Sequence, residues 1–359
     1  MKNSVQMDQN NRIVYMDFLK IISIYLVIFN HTGIYGFTYF TTAQDTSFYW
    51  FYLFASIFSK VAVPIFFMVS GALLLQREEP IKVVLEKRFL KYLFVLIAFS
   101  FGYYIYSLGF RITMISFRDF IKQIYAWHIA PGYWYLYAYL AYLLTLPLLR
   151  KMVKNMQTFD CVYMIIVYFV MQLLNVVQYL VWGQDIKLNS YFSVFFLSSS
   201  VFFPVFGYIL DKKVPLKFYN KKIFFGAFAI SILVISVCCV LTNYHCNRIN
   251  QWQESSCQQF FNVFIFIPAG ALFFCVKYIF CKIRLTNWIG KFLSGVASCS
   301  FGLFLIEHFC RKMTQTVFYR IAAYLPSFSA TLVWILFVYA VGVMVIFVLK
   351  HIPFIKKML

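Results

Sequence analysis

Long apolar segments alternate with short polar ones along almost the whole chain. Windows of about 20 mainly apolar residues are long enough to cross the roughly 30 Å hydrocarbon core of a bilayer as helices. Such windows lie at residues 14–36, 49–75, 90–110, 132–150, 161–182, 190–211, 222–243, 260–281, 295–318 and 328–350. This pattern predicts an all-α, polytopic integral membrane protein with about ten transmembrane helices. The second window is overlong and contains Lys60 and Pro64, which predicts a tilted or broken span.

Lysine and arginine are distributed unequally among the polar segments. One alternating set of segments contains Arg77, Lys82, Lys87, Arg88, Lys91, Arg150, Lys151, Lys154, Lys212, Lys213, Lys217, Lys221, Lys222, Lys277, Lys282, Arg284, Lys291, Lys350, Lys356 and Lys357. The other set contains only Arg111, Arg118, Lys122, Lys187, Arg248 and Arg320. Because cytoplasmic loops are enriched in Lys and Arg, this bias predicts that both termini are cytoplasmic.

Composition supports the membrane class and excludes several others. Only 12% of the 359 residues are charged and 62% are hydrophobic, whereas soluble domains carry about 25% charged residues. The net charge of +20 does not indicate a nucleic-acid-binding protein, because the cations lie in short clusters between apolar spans. The cysteines form no CxxC pair, so no metal site is expected. We expect one transmembrane domain over residues 1–359 and no soluble domain.

Two outer segments leave alternatives open. Cys246 and Cys257 share one outer loop, where they either form a disulfide or remain thiols. The segment 111–131 spaces its apolar residues either as an interfacial helix or as a folded loop.

Polar residues within the first span are the first candidates for chemistry. Lys20 and His31 are eleven positions apart, which is close to a whole number of turns and places them on one face about 16 Å apart. Asp17 joins that face and Asn30 adjoins His31. Such a row is expected to face a protein interior or a water-filled cavity. The alternative is that Lys20 extends to the membrane surface and His31 is a hydrogen-bonded interfacial residue.

The same row resembles the opening signature of the integral-membrane acyltransferase 3 family. That signature has an acidic residue, an arginine and, after ten residues, a histidine; here "DFLKIISIYLVIFNH" has Lys20 in place of the arginine. Lysine keeps the charge but loses the planar fork that grips phosphate or carboxylate at two points. "SKVAVPIFFMVSGALLL", with Lys60, and "EKRFLKY", with Arg88, resemble the family's second and third blocks.

Later segments resemble the family as well. "GYWYLYAYLAYLLTLPLLR", with Trp134 and Tyr135, resembles the block that opens the fourth span, although Gly132 occupies the position of a frequent histidine. "ASCSFGLFLIEHF" resembles a late block in which Glu307 falls on the usual histidine position and His308 follows one residue later.

The resemblance implies an O-acyltransferase in the cell (cytoplasmic) membrane. Such an enzyme moves an acyl group, usually acetyl, from cytoplasmic acyl-CoA to a hydroxyl of a cell-surface, exported or lipid-linked carbohydrate. Acyl-CoA is a co-substrate, no cofactor is expected to be bound permanently, and oligomeric state stays open. His31 is expected to be the general base, because histidine as a residue type is suited to accept and return a proton near neutral pH. The expected supporting or donor-binding residues are Asp17, Lys20, Asn30, Lys60, Arg88, Trp134 and Tyr135, with Glu307 and His308 as further candidates.

Two other function classes compete with this interpretation. A secondary transporter or exporter also buries charge at mid-depth, and Glu307 with His308 would then relay protons. No inverted repeat of hydropathy supports that reading. A membrane sensor is the third alternative, and the chain shows no soluble sensing domain for it.

Overall fold

The structure, a computed structural model, describes residues 9–182, 189, 194, 197–252, 261–283 and 285–358, and these residues form helices and turns without any strand. The first eight helices are α1 (Gln9–Asn30), α2 (Tyr49–Ser59), α3 (Ala62–Leu74), α4 (Ile81–Val84), α5 (Leu90–Ser107), α6 (Phe117–Ala126), α7 (Trp134–Asn155) and α8 (Thr158–Trp182). The next eight are α9 (Ser199–Tyr208), α10 (Lys221–Ile249), α11 (Phe266–Lys282), α12 (Asn287–Ser298), α13 (Ser300–Met313), α14 (Gln315–Ala322), α15 (Ser327–Leu349) and α16 (Pro353–Met358). The predicted all-α class is confirmed for these residues.

The described residues contain five or six candidate membrane spans. Among the described residues, five helical segments are long and apolar enough to cross a membrane: Tyr49–Leu74, Ile81–Ser107, Trp134–Asn155, Lys221–Ile249 and Ser327–Leu349. The consecutive helices α12 and α13 meet at 56° and add a sixth span if they form one broken span. The windows 190–211 and 260–281 include residues outside the described ranges. The protein is therefore a multi-pass membrane protein, while ten spans and cytoplasmic termini stay predictions.

The second span is broken, as its sequence indicates. Helix α2 ends at Ser59 and α3 begins at Ala62, with Lys60 and Val61 forming the turn between them. Pro64 lies in the first turn of α3, where a backbone N–H has no partner within the helix, so the proline costs no helical hydrogen bond. The break places Lys60 inside the bundle beside the end of α1.

Helix α1 lies in the centre of the bundle although it carries the polar row. It packs against α3, α11, α12, α13 and α15. Tyr15, Leu19, Ile24 and Ile28 on α1 are completely buried. The polar residues of α1 consequently face other helices and the cavities between them, in line with the expectation that ionisable groups in a membrane point toward protein.

Helices α3 and α9 pack unusually closely through two glycines. A Cβ atom on Gly71 would overlap the carbonyl group of Pro204, and a Cβ atom on Gly207 would overlap that of Met68. Small residues allow transmembrane helices to approach to backbone contact, where dispersion forces stabilise the pair. This contact fixes α9 against the second span, and α9 in turn forms one wall of the cavity described next.

Candidate active site

A cavity of about 460 Å³ adjoins the end of α1, and we call it the His31 cavity. Its lining brings together candidates that lie in separate sequence blocks: Asn30, His31, Lys60, Trp134 and Tyr135. The break between α2 and α3 supplies Lys60, and the start of α7 supplies the two aromatic residues. The cavity therefore unites the first, second and fourth blocks of the sequence around one imidazole.

His31 follows the last residue of α1 and is held by a carboxylate from a distant helix. Its Nδ1 atom lies 2.8 Å from Oε1 of Glu307 on α13. The Glu307 side chain is only 3% exposed, whereas that of His31 is 23% exposed. A buried carboxylate at this distance orients the ring and stabilises positive charge on it.

Arg311, one turn after Glu307, completes this arrangement. Its Nε atom donates a hydrogen bond of 2.6 Å to Oε2 of Glu307, and its Nη1 atom donates one of 2.6 Å to the backbone oxygen of His31. The arginine therefore fixes both the carboxylate and the main chain that carries the imidazole. We refer to these three residues as the His31–Glu307–Arg311 network.

The network occupies Nδ1 of His31 and leaves the second ring nitrogen, Nε2, without a partner inside the network. With Nδ1–H donated to an ionised Glu307, the Nε2 atom carries a lone pair and can accept a proton. Gly132 lies against this side of the ring: a Cβ atom on Gly132 would be 3.0 Å from Cε1 and 3.5 Å from Nε2 of His31. Gly132 also has a φ of +84°, which other residues rarely adopt. The glycine therefore leaves room beside the reactive nitrogen.

Asn30 and Lys60 lie beside His31 but have contacts of their own. The Asn30 amide donates to the backbone oxygen of Ser59 at 3.0 Å and accepts from the Ser59 hydroxyl at 2.5 Å. The Lys60 ammonium lies 4.3 Å from the centre of the Phe37 ring, a cation–π distance. Lys60 thus brings positive charge into the His31 cavity, and the Asn30–Ser59 pair ties the end of α1 to the end of α2.

A second cavity of about 300 Å³, the Lys20 cavity, lies toward the other end of α1. Three cations line it: Lys20, Arg77 and Arg88. Asp17 holds Lys20 through a 2.9 Å ion pair and accepts a 2.7 Å hydrogen bond from the Ser294 hydroxyl. Arg77 and Arg88 both pair with Glu79, so three positive charges line the Lys20 cavity and two carboxylates balance part of them.

Arg88 is also part of an ion cluster at the edge of this cavity. It donates two hydrogen bonds to Glu79, at 3.0 and 2.5 Å, and Arg150 donates a third at 2.9 Å. The Arg88 hydrogen bonds, together with those from Arg150, lower the pKa of Glu79 to about 2. Glu79 is thus ionised at neutral pH and fixes the orientation of Arg88.

The two cavities share a wall of three aromatic rings. Phe66, Tyr135 and Phe304 line both the His31 cavity and the Lys20 cavity. The ring of Tyr135 lies 6.1 Å from that of Phe66 and 5.4 Å from that of Phe304, measured between centroids. We call these residues the aromatic partition. A molecule that extends from one cavity into the other must pass them.

Other predicted residues lie apart from the reactive nitrogen. Trp134 is 46% exposed at the rim of the His31 cavity. The His308 ring packs 5.3 Å from that of Tyr103, and its Nδ1 atom lies 3.4 Å from Nη2 of Arg311. His308 therefore contacts the outer side of the network, and Glu307 takes the position next to His31. Cys257 lies outside the described residues, so its pairing with Cys246 stays a prediction.

Several residues of the site were not predicted from the sequence. Arg311 is one of them, and its spacing of one helical turn from Glu307 is the signal that the sequence offers. At Gly132 the sequence shows only a departure from the family block. The positive φ of this residue is set by the turn before α7, so the sequence block alone does not reveal it. Phe66 and Phe304 are compatible with ordinary lipid-facing positions, and no local sequence pattern distinguishes them from the other phenylalanines of the chain.

Comparison with known proteins identifies the class of the chain. A family model described as an acyltransferase domain matches residues 13–351. No curated protein and no solved structure matches the chain. The match extends over every element that contributes to the two cavities.

Proposed function

Because the chain belongs to the integral-membrane acyltransferase 3 family, we propose that it is an O-acyltransferase that uses cytoplasmic acyl-CoA. The acceptor in this proposal is a hydroxyl group of a cell-surface, exported or lipid-linked carbohydrate. The acyl group is acetyl, and the membrane is the cytoplasmic membrane of the cell.

The observation that carries the proposal is the geometry of His31. A hydroxyl group is a weak nucleophile until a base accepts its proton. The 2.8 Å hydrogen bond to Glu307 occupies Nδ1 of His31 and leaves Nε2 on the opposite side of a ring that lines the cavity. This is the arrangement of a general base whose orientation and positive charge are supported by a carboxylate.

The proposed reaction proceeds by direct transfer. The Nε2 atom of His31 accepts the proton of the acceptor hydroxyl while the hydroxyl oxygen attacks the thioester carbonyl carbon. The carbon–sulfur bond then breaks, and the CoA thiolate takes the proton back from His31. The products are an O-acyl ester and free CoA, and the histidine returns to its starting state.

The second cavity supports a binding site for the donor. CoA carries several phosphate charges, and Lys20, Arg77 and Arg88 offer complementary positive charge within one cavity. The pantetheine arm then reaches the His31 cavity past the aromatic partition. Lys60 lies in the His31 cavity itself, so its location favours stabilisation of the thioester oxygen over binding of a phosphate.

Transfer of label from acetyl-CoA tests the proposal. Membranes that contain the chain are incubated with [¹⁴C]acetyl-CoA, and both labelled carbohydrate and free CoA are measured. We expect the His31→Ala variant to lose at least about 100-fold in rate, the lower range for a general base. His351→Ala is the matched control, because His351 is exposed at the end of α15 and is bonded to the backbone oxygen of Phe347.

Two results would contradict the proposal. Full acyl transfer by His31→Ala would exclude His31 as the base. Passage of a carbohydrate across the membrane without any modification would instead favour the transporter alternative.

A further inference from the structure

We propose that the aromatic partition selects the acyl group, so that the enzyme accepts short, uncharged acyl groups such as acetyl and rejects longer or charged ones. Within the proposed function, Phe304 is the main specificity-determining residue and Phe66 assists it. The inference rests on the proposed function, and it adds the class of donor that the site admits.

The path of the donor brings its acyl end to the partition first. The anionic end of CoA is held at Lys20, whereas the thioester has to reach Nε2 of His31. These residues line different cavities, and the residues common to both cavities are Phe66, Tyr135 and Phe304. The acyl group therefore passes between the rings before the thioester arrives, and the pantetheine arm lies among them afterwards. Because the passage has to admit this arm, selection by size takes place where the acyl group comes to rest.

Phe304 also borders the place where the acyl group comes to rest. A Cβ atom on Gly132 would lie 3.0 Å from Cε1 of His31 and 3.7 Å from Cε2 of Phe304. The ring edge of Phe304 and the imidazole of His31 thus border the same small space. An acyl group whose carbonyl carbon is near Nε2 packs against Phe304, and each further methylene group competes with that ring for volume.

The partition discriminates against charge as well as size. Phe66 and Phe304 offer only apolar ring surface, and Tyr135 adds a hydroxyl group but no positive charge. A carboxylate that leaves water without a cationic partner carries a large desolvation cost. Lys60 lies in the His31 cavity and not in the Lys20 cavity. The terminal carboxylate of a succinyl group would therefore have to cross the rings before this cation could pair with it.

A comparison of defined acyl donors tests the inference. Membranes of cells that naturally produce the chain supply the acceptor, and acetyl-, butyryl-, hexanoyl- and succinyl-CoA are offered in turn. The measured quantity is kcat/KM for each donor, read from acyl label on carbohydrate and from release of CoA. Phe304→Ala and Phe66→Ala are the test variants. Phe309→Ala is the matched control, because Phe309 lies on the same helix as Phe304 but packs against Tyr106.

We expect the wild-type protein to prefer acetyl-CoA over butyryl-CoA by about 10- to 200-fold, the range for a methylene group in an apolar pocket. The preference should fall at least about tenfold in Phe304→Ala and less in Phe66→Ala, and it should be unchanged in Phe309→Ala. Succinyl-CoA should stay a poor donor for the variants, because they enlarge the passage without making it polar.

The outcomes separate the inference from the proposed function. If the wild-type protein transfers no acyl group from any donor, the proposed function fails. If it transfers acetyl, butyryl and succinyl groups equally well, the inference about donor selection is overturned and the proposed function stands. This result comes from the wild-type protein, so it does not depend on whether the variants fold. An unchanged acetyl preference in an active Phe304→Ala variant would overturn it too. Phe304→Leu, which keeps an apolar side chain of intermediate size, replaces the alanine variant if that one does not fold.

Discussion

The Nδ1 atom of His31 lies 2.8 Å from Oε1 of Glu307, although 276 positions separate the two residues in the chain. His31 directly follows the first helix, and Glu307 lies near the middle of a late helix. Their contact joins two distant parts of the sequence at Nδ1 of the imidazole whose other nitrogen, Nε2, is the proposed base. It also explains why a carboxylate is kept almost completely out of solvent at this depth, since the imidazole and Arg311 together satisfy both of its oxygens.

Removing the charge of Glu307 should impair the chemical step more than donor binding. We expect Glu307→Gln to lower kcat by about 100- to 10,000-fold, because the amide neither fixes the tautomer nor stabilises the imidazolium. The KM for acetyl-CoA should change by less than about threefold, since the proposed site for the donor's anionic end is the other cavity. The measurement is steady-state CoA release, with Glu86→Gln as the control because Glu86 is exposed and pairs with Lys82. A fall in donor affinity with unchanged kcat would contradict the assigned role.

A methyl group on Gly132 should displace the imidazole. In Gly132→Ala the Cβ atom would lie 3.0 Å from Cε1 of His31, and the residue would have to keep a φ of +84°. Since a misplacement of about 1 Å can cost on the order of 100-fold in rate, we expect a loss of that size. The matched control is Gly226→Ala on α10, where nothing lies within 4 Å of the added atom. Wild-type activity in Gly132→Ala would show that His31 does not react from the observed position.

Lys20 should contribute to donor binding through its charge. We expect Lys20→Ala to raise the KM for acetyl-CoA by about tenfold, which corresponds to about 1.4 kcal/mol. Lys20→Arg should keep or improve the affinity, because arginine grips phosphate at two points. Lys122→Ala on the exposed face of α6 is the control. A large loss in Lys20→Arg would indicate that Lys20 does not bind the donor's anionic groups.

Acid should weaken the cluster of Glu79, Arg88 and Arg150. The pKa of Glu79 is lowered from 4.5 to about 2 by its hydrogen bonds to Arg88 and Arg150. The ionised cluster therefore stabilises the folded protein fully above about pH 4.5, and this contribution is lost as the pH falls toward 2. The melting temperature of Glu79→Gln in detergent should be lower than that of the wild type at pH 6, and the difference should shrink at pH 3. A difference that is independent of pH would contradict the assignment.

The sequence indicated that Lys20 and His31 lie against cavities of the protein, because their spacing is a local property of the helix. The near-whole number of turns between Lys20 and His31 indicates a shared face, and the structure brings both residues to cavities that adjoin the same rings. The break at Lys60 was predictable for the same reason, because Pro64 acts on its own turn. Local sequence patterns are sufficient for both predictions, because the shared face and the break depend on helical geometry alone.

The partners of these residues could not be predicted, because they depend on how distant helices pack. Nothing near His31 in the sequence identifies Glu307 as its partner, and His308 was an equal candidate until the rotation of α13 was known. Similarly, Phe304 differs from many other phenylalanines only by its place between two cavities. Apolar windows likewise do not reveal where a helix bends, as at the 56° angle between α12 and α13.

The close glycine contact between α3 and α9 has a consequence for biogenesis. The ribosome synthesises α3 before α9. The surface of α3 around Gly71 is therefore in contact with lipid until α9, which carries Gly207, has been inserted. Phe203, which lines the His31 cavity, is carried by the same late helix. A nascent chain that stops short of α9 would therefore lack the wall of the His31 cavity that Phe203 forms, and the wall that carries Phe304 is synthesised later still.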